Sequence, residues 1–211
     1  FEGEREMKNF MIDIETTGIG SAENDVLQIG VLEMIWNGDI WTPGKTFEHV
    51  CHTDKKPESA FAKEHMAPLY ERCNAMNRSF SDPVTIRECL LKYFSECGET
   101  PPNVFVCGWN ASNFDMPFLF DKKMLVPSYY ETIDGQDVMR GDVHYRVYEI
   151  GGSLQLARDV LGMPAGEVAK KARELCPEVE LPAGEEHDAI YDCYSQLKLL
   201  NGLIRLLRGS K

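Results

Sequence analysis

The first strong signal along the chain is a short apolar run, rich in Ile, within residues 8–15, which predicts a buried strand. A polar, Gly-containing connection over 16–24 follows. Residues 25–36 form a second apolar run, with Val26, Ile29, Val31 and Ile35. Asn37 and Gly38 then supply a tight-turn signal, because both tolerate positive φ. Residues 40–51 read as a third strand, interrupted by a bulge at Pro43 and Gly44. The opening is therefore an antiparallel three-stranded meander.

The period then lengthens. Short helical pieces are expected over 60–66 and 69–76. A clearer helix begins at Ser81, Asp82 and Pro83, with Ile86, Leu90, Tyr93, Phe94 and Cys97 on one face and Gly98 closing it. Residues 104–107 are continuously apolar, as expected of a strand buried on both faces and paired in parallel. Residues 108–114 make a polar turn, and a helix opens near Asp115. The stretch 124–141 is irregular, with a fifth strand expected near 130–133 and Asp137 opening the next element as a cap. Ser153 is expected to cap a helix over 153–161 that Gly162 ends. A charged helix over 166–175 follows. The last helix, 188–207, turns Ile190, Cys193, Tyr194, Leu197, Leu200, Ile204 and Leu207 inward. Arg205 and Arg208 fall near its C-terminal dipole.

Composition fits one α/β domain. The 211 residues are 43% hydrophobic and 27% charged, with no run long enough to span a membrane, which points to a cytoplasmic protein. The expected domain is 7–208, with residues 1–6 a disordered N-terminus or an expression remnant preceding Met7. Seven cysteines without a C-x-x-C pair argue against a disulfide framework. The group His49, Cys51, His52, His65 and Cys73 matches no zinc spacing. A net charge of −12, from 34 acids and 22 bases, argues against broad neutralisation of duplex phosphates. It leaves room for a short chain end held through bound cations.

The chemistry begins at the first strand. Asp13 and Glu15 lie two residues apart, so both carboxylates leave one face of a strand. Like charges there repel and lose hydration unless a cation is shared, and carboxylate oxygens suit Mg²⁺ or Mn²⁺. An isolated D-x-E is more often an ordinary solvent-facing pair. Further along, Asp115 stands at a strand-to-helix switch, and His187 and Asp192 stand at the start of the last helix. A helix turns about 100° per residue. His187 and Asp192 share a site only if His187 lies in the preceding loop and Asp192 in the first turn. Glu185 and Glu186 are the acidic neighbours of that histidine.

Taken in order, Asp13, Glu15, Asp115, Asp192 and His187 form the D-E-D-D-plus-histidine pattern of the DEDDh, or DnaQ-like, 3′-to-5′ exonucleases. The chain resembles that superfamily from about Met7 to Leu207. The D-I-E-T-T-G run from Asp13 to Gly18 and the H-x-x-x-x-D spacing from His187 to Asp192 carry the resemblance. The middle motif departs from the commonest form: Asn110 precedes Asp115 by five residues and Asn113 by two. Its Trp109-Asn110 pair is more like phage and exonuclease VIII-type members than oligoribonuclease.

The resemblance implies a ribonuclease H-like fold, a mixed five-stranded sheet with helices on both faces. It implies two Mg²⁺ or Mn²⁺ ions. Asp13, Glu15 and Asp192 would hold one, and Asp13, with Asp115 through water, the other. His187 would be the general base. The substrate would be the 3′ end of single-stranded DNA or RNA, released as nucleoside 5′-monophosphates. Thr16 and Thr17 would hold the terminal hydroxyl, Ile19 would wedge against the last base, and Phe114 and Trp109 would stack or serve the core equally well. Asp137 matches a further acid of many members. Lys122, Lys123, Arg140 and Arg146 are ordinary surface cations or phosphate contacts. An oligoribonuclease-like hydrolase of short RNA and a nucleic-acid-binding module without turnover stay open as alternatives. A carboxylate-pair glycosidase is more distant. Protein partners and oligomeric state have no signature.

Overall fold

The computed structural model describes residues 9–184 and 186–209. Residues 1–8, with the expected remnant, Met7 and the start of the first strand, lie outside them, as does Glu185 beside His187.

Three strands open the chain: β1 (Asn9–Thr16), β2 (Val26–Trp36) and β3 (Trp41–Val50). Both pairings are antiparallel. Gly38 has φ 100°, and the Asn37 side chain accepts from the backbone N–H groups of Asp39 and Ile40, so the expected turn forms. The bulge is also present: the pairing shifts where Gly44 and Lys45 together oppose Glu33, whose carboxylate accepts from the Lys45 backbone N–H at 3.2 Å.

Helices α1 (Ala60–His65), α2 (Ala67–Ala75) and α3 (Pro83–Glu96) follow, with a short 3₁₀ turn before α3. Asp82 caps α3, Pro83 occupies its first turn, and Gly98 follows at φ 84°. Strand β4 (Phe105–Gly108) pairs in parallel with β1, and α4 (Asp115–Asp121) follows it.

The next segment corrects the sequence reading. Tyr130 and its neighbours do form a strand, β5 (Tyr129–Ile133), but it pairs only with β6 (Gln136–Arg140) in a separate exposed hairpin. The fifth strand of the main sheet is β7 (Val147–Glu149), parallel to β4. Asp137 therefore caps no helix; its carboxylate accepts from Thr132 across the hairpin at 2.8 Å. Helix α5 (Ile150–Leu161) starts directly off β7, three residues before the expected cap. Ser153 lies inside it, hydrogen-bonded to the Tyr148 hydroxyl at 2.9 Å. Gly162 ends α5 at φ 62°. Helices α6 (Ala165–Glu174) and α7 (Ala189–Gly209) complete the fold. Arg205 and Arg208 bind Asp39 rather than the helix end alone, pinning the β2–β3 turn to α7.

The main sheet has the order β3-β2-β1-β4-β7. One face of β1, through Phe10, Ile12 and Ile14, packs on α3 and α4. The opposite face, at Met11, packs on α5, α6 and α7. Leu27 and Val50 are covered by α1 and α2. Helices thus lie on both faces of a mixed five-stranded sheet. Because side chains alternate along a strand, Asp13 and Glu15 share the Met11 face and meet the start of α7.

Two glycines set how closely helices approach. A Cβ on Gly30 of β2 would lie 2.6 Å from the Ala189 carbonyl carbon, so only a glycine lets the first residue of α7 touch the sheet. A Cβ on Gly202 would lie 1.9 Å from the Ala172 carbonyl oxygen, which fixes α6 against α7.

Candidate metal and nucleic-acid site

Four separate segments bring the sequence-derived acids and histidine to one place. Asp13 and Glu15 come from the C-terminal half of β1, Asp115 from the first turn of α4, Asp192 from the first turn of α7, and His187 from the loop before it. Beyond Met11, β1 has no strand partner on its β4 side. The backbone N–H of Ile14 donates to Asp115 Oδ1 at 2.9 Å instead. That contact draws the buried Asp115 carboxylate, 3% exposed, up to the sheet beside Asp13.

His187 lies at φ 71°, a left-handed conformation uncommon for a residue with a side chain. Its backbone N–H donates to Asp192 Oδ2 at 3.1 Å. The turn is held from below by Asp188, whose Oδ1 accepts from the N–H groups of Ile190 and Tyr191 and so caps α7. Gln28, fully buried in β2, donates to Asp188 and accepts from the Ala189 N–H. The imidazole packs edge-on against Phe61 at 4.7 Å and faces His65 at 5.7 Å. One ligand atom each of Glu15, His187 and Asp192 fall within 4.8 Å of one another.

The electrostatics are those of crowded anions. Burial, then the charges of Asp115, Glu15 and Asp192, raise Asp13 well above the usual carboxylate range. A hydrogen bond from Gln196 Nε2, at 2.7 Å, opposes the rise. Glu15 is pushed up to about 8 by burial first and by Asp192, Asp115 and Asp188 after it. Asp115 is raised by burial against the two backbone N–H groups that favour its charged form. Asp192 is raised chiefly by burial, with the His187 N–H opposing. Among the described residues no lysine or arginine ion-pairs any of these carboxylates. Carboxylate oxygens with one imidazole are a donor set for a hard divalent cation, and the unrelieved repulsion is what such a cation removes. The residues present therefore fit a metal site.

A cleft of about 440 Å³ flanks Glu15 and is lined by Thr16, Thr17, Ile19, Phe61 and Phe114. Ile19 is 91% exposed at its rim. The two threonine hydroxyls are engaged within their own loop: Thr16 donates to the Gly18 carbonyl at 2.7 Å, and Thr17 donates to Asn24 and accepts from the Asp25 N–H. Trp109 lies elsewhere, beside a second cleft of about 300 Å³ that Asp13, His187 and Asp192 also line. Asn110 adopts φ 56°, and its side chain accepts from Asn113, so the pair shapes the turn after β4. Arg140 pairs with Glu131, and Arg146 lies over the Tyr145 ring. The histidines and cysteines of 49–73 are engaged separately: His49 and His52 bind backbone carbonyls, while the Cys51 N–H and the Cys73 thiol both donate to the Leu27 carbonyl.

Three residues of the site have no motif. Gln196 joins Asp13 to the Trp109 N–H at 2.9 Å, Glu149 accepts from the Ser112 N–H, and Phe61 supports His187. Only Gln196 had a signal, since it falls one turn after Asp192 on the same helix face.

The architecture is a ribonuclease H-like α/β fold. Solved structures sharing it include the E. coli exonuclease I complex with single-stranded DNA in its zinc-bound form, at 16% identity and TM-score 0.55, over 92% of this chain and 39% of that one. E. coli exonuclease I in complex with a dT13 oligonucleotide is similar at 14% identity and TM-score 0.51, over 93% and 40%. A complex of ExoI with SSB-Ct is similar at 12% identity and TM-score 0.54, over 98% and 43%. The chain thus spans about two fifths of the proteins whose fold it shares. No protein-family model and no curated protein matches the sequence. No helix among the described residues is long and apolar enough to cross a membrane.

Proposed function

We propose that this chain is a metal-dependent 3′-to-5′ exonuclease acting on single-stranded nucleic acid. The observation that carries the reading is the convergence of Asp13, Glu15, Asp115 and Asp192 beside His187, with no lysine or arginine among the described residues ion-paired to them. Support also comes from the fold, shared with a nuclease whose solved complexes hold single-stranded DNA.

Glu15, Asp192 and Asp13 would hold one divalent ion, and Asp13 with Asp115 a second. Bound there, Mg²⁺ or Mn²⁺ supplies Lewis acidity and charge neutralisation at a phosphodiester. The chain's own residues do the rest. The cleft beside Thr16, Thr17, Ile19 and Phe114 takes the terminal nucleoside. Phe114 and Phe61 offer apolar faces to a base, and Ile19 stands where the neighbouring base would have to unstack. The Thr16 and Thr17 hydroxyls, already donating within the loop, keep acceptor capacity for the terminal 3′-hydroxyl. His187 accepts the proton of the attacking water. As the new phosphorus–oxygen bond forms, the bond to the 3′-oxygen of the preceding nucleotide breaks; that oxygen takes a proton from solvent water and leaves as a hydroxyl, and His187 returns its own proton to solvent. One nucleoside 5′-monophosphate departs, and the strand is shorter by one.

The test is degradation of 5′-labelled single-stranded DNA and RNA of matched sequence by wild type and His187→Ala, with Mg²⁺, Mn²⁺ or chelator. A metal-dependent ladder shortening from the 3′ end, at least a hundredfold slower in the variant, is the expected result. Absence of a ladder on both polymers overturns the reading. The faster polymer identifies the substrate class.

A further inference from the structure

Arg173 belongs to α6, yet it lines the same cleft of about 300 Å³ as Asp13, His187 and Asp192. Among the described arginines, only Arg146 and Arg173 ion-pair no carboxylate, and Arg146 is occupied by the Tyr145 ring. Arg173 and Ser195 also border an adjoining cavity of about 450 Å³, where Lys170 and Lys198 stand. Neither lysine ion-pairs an acid among the described residues. The acids at this margin are Glu186 in the first cavity and Glu174 in the second. On a chain of net charge −12, three cations that ion-pair no acid among the described residues thus gather beside the acidic site.

Their placement is directional. Asp192, Ser195 and Lys198 succeed one another at three-residue spacing on α7, so one ridge of that helix leads from the reacting centre to the second cavity. Lys170 and Arg173 have the same spacing on α6. The contact of Gly202 with Ala172 fixes the two helices against each other, which holds the residue after Ala172 over α7. The cleft for the terminal nucleoside adjoins Glu15, whereas the Arg173 cleft adjoins Asp13 and Asp192. The acids stand between the two.

We infer that Lys170, Arg173 and Lys198 form a track for the phosphates of the strand on the 5′ side of the reacting bond. The inference rests on the exonuclease reading and deepens it: the substrate is a chain several nucleotides long, held by its backbone charge and not by its bases. Arg173 meets the phosphate next to the reacting one, and the lysines meet those beyond.

Fluorescence anisotropy of 5′-fluorescein octathymidylate, with Ca²⁺ in place of Mg²⁺ and KCl varied, tests it. The double variant Lys170→Gln, Lys198→Gln is expected to bind about tenfold more weakly at low salt. Its plot of log affinity against log salt should be shallower by about 1.4, roughly 0.7 for each single-strand phosphate that a lysine no longer neutralises. Lys92→Gln, a surface charge on α3 paired with Glu96, should match the wild type. An octamer with uncharged methylphosphonate linkages should bind wild type and double variant alike. Wild-type affinity and slope in the double variant, or a difference that persists on the uncharged octamer, overturns the track. Release of thymidine 5′-monophosphate, read with Mg²⁺ on the same proteins, is a separate measurement. Lysine-dependent binding without release keeps the track and removes the reaction; release with lysine-independent binding does the reverse; no binding by the wild type overturns both.

Discussion

Glu15 is the residue through which the site's electrostatics become measurable without substrate. Its ordinary value is 4.5 and the fold raises it to about 8, so the folded state binds this proton more tightly than the unfolded chain does. The corresponding stability is fully present below about 4.5 and is lost as pH rises through about 8. In chelator, thermal denaturation of the wild type should therefore show a midpoint that falls between pH 5 and 8, and Glu15→Gln should flatten that fall. At pH 8 without metal the variant should be the more stable by more than about 1.4 kcal/mol, the worth of one pKa unit. Mg²⁺ should reverse the order. At this scale the convergence of the four acids and the histidine was legible because their residue types and order in the sequence match one motif pattern. Gln196 offered only its place one turn after Asp192, and a glutamine on a helix otherwise reads as solvent-facing polarity until the fold brings Asp13 to it. Phe61 was hidden for the opposite reason: half of it is exposed, and nothing in a short helix of 60–65 says that its ring meets a loop at 187.

Elements position these residues through backbone contact more than through side chains. Gly30→Ala would drive a methyl group into the Ala189 carbonyl, where the obstacle is main chain and cannot rotate away. The expected cost is about 1–3 kcal/mol, measured by urea denaturation, together with a larger proportional loss of nuclease rate, because the displaced segment carries His187 and Asp192. The meander, β4 and α3 were readable because their apolar periods are uninterrupted and their ends carry caps. The fifth sheet strand was missed because β7 has only three residues, too few to show a period. The exposed hairpin of β5 and β6 offered longer runs, and its aromatic residues imitate a buried strand while Tyr129 and Tyr130 lie more than half exposed. Helix α5 began early because Ile150 follows the last residue of β7 directly, and a local hydrogen bond with the Tyr148 hydroxyl, five residues back, engages the serine that capping rules assign to a helix start.

Over the whole molecule, six of the seven cysteines are buried and Cys89 alone is partly accessible. A thiol reagent should label Cys89 first in the native protein, with the other six following only at the rate of unfolding; mass spectrometry of the labelled peptides checks this. Early labelling of Cys193, which donates to backbone carbonyls of Met11 and Gly30, would mean that α7 parts from the sheet in the native state. The hydrogen bond from Ile14 to Asp115 bears on how any substitution scan of this protein should be interpreted. Asp115 replaces the missing neighbouring strand for one peptide group, so the same carboxylate closes the sheet and belongs to the proposed reaction centre. Asp115→Ala leaves a buried N–H without an acceptor, at about 1–3 kcal/mol, and its inactivity alone would confuse a lost scaffold with lost chemistry. Asp115→Asn keeps a carbonyl oxygen for Ile14 and removes only the charge. Near-wild-type melting with abolished hydrolysis in the asparagine variant is the expected pattern. Positions of this kind admit an inactive state that still folds, so a chain that lost turnover here would keep an amide and not drift freely.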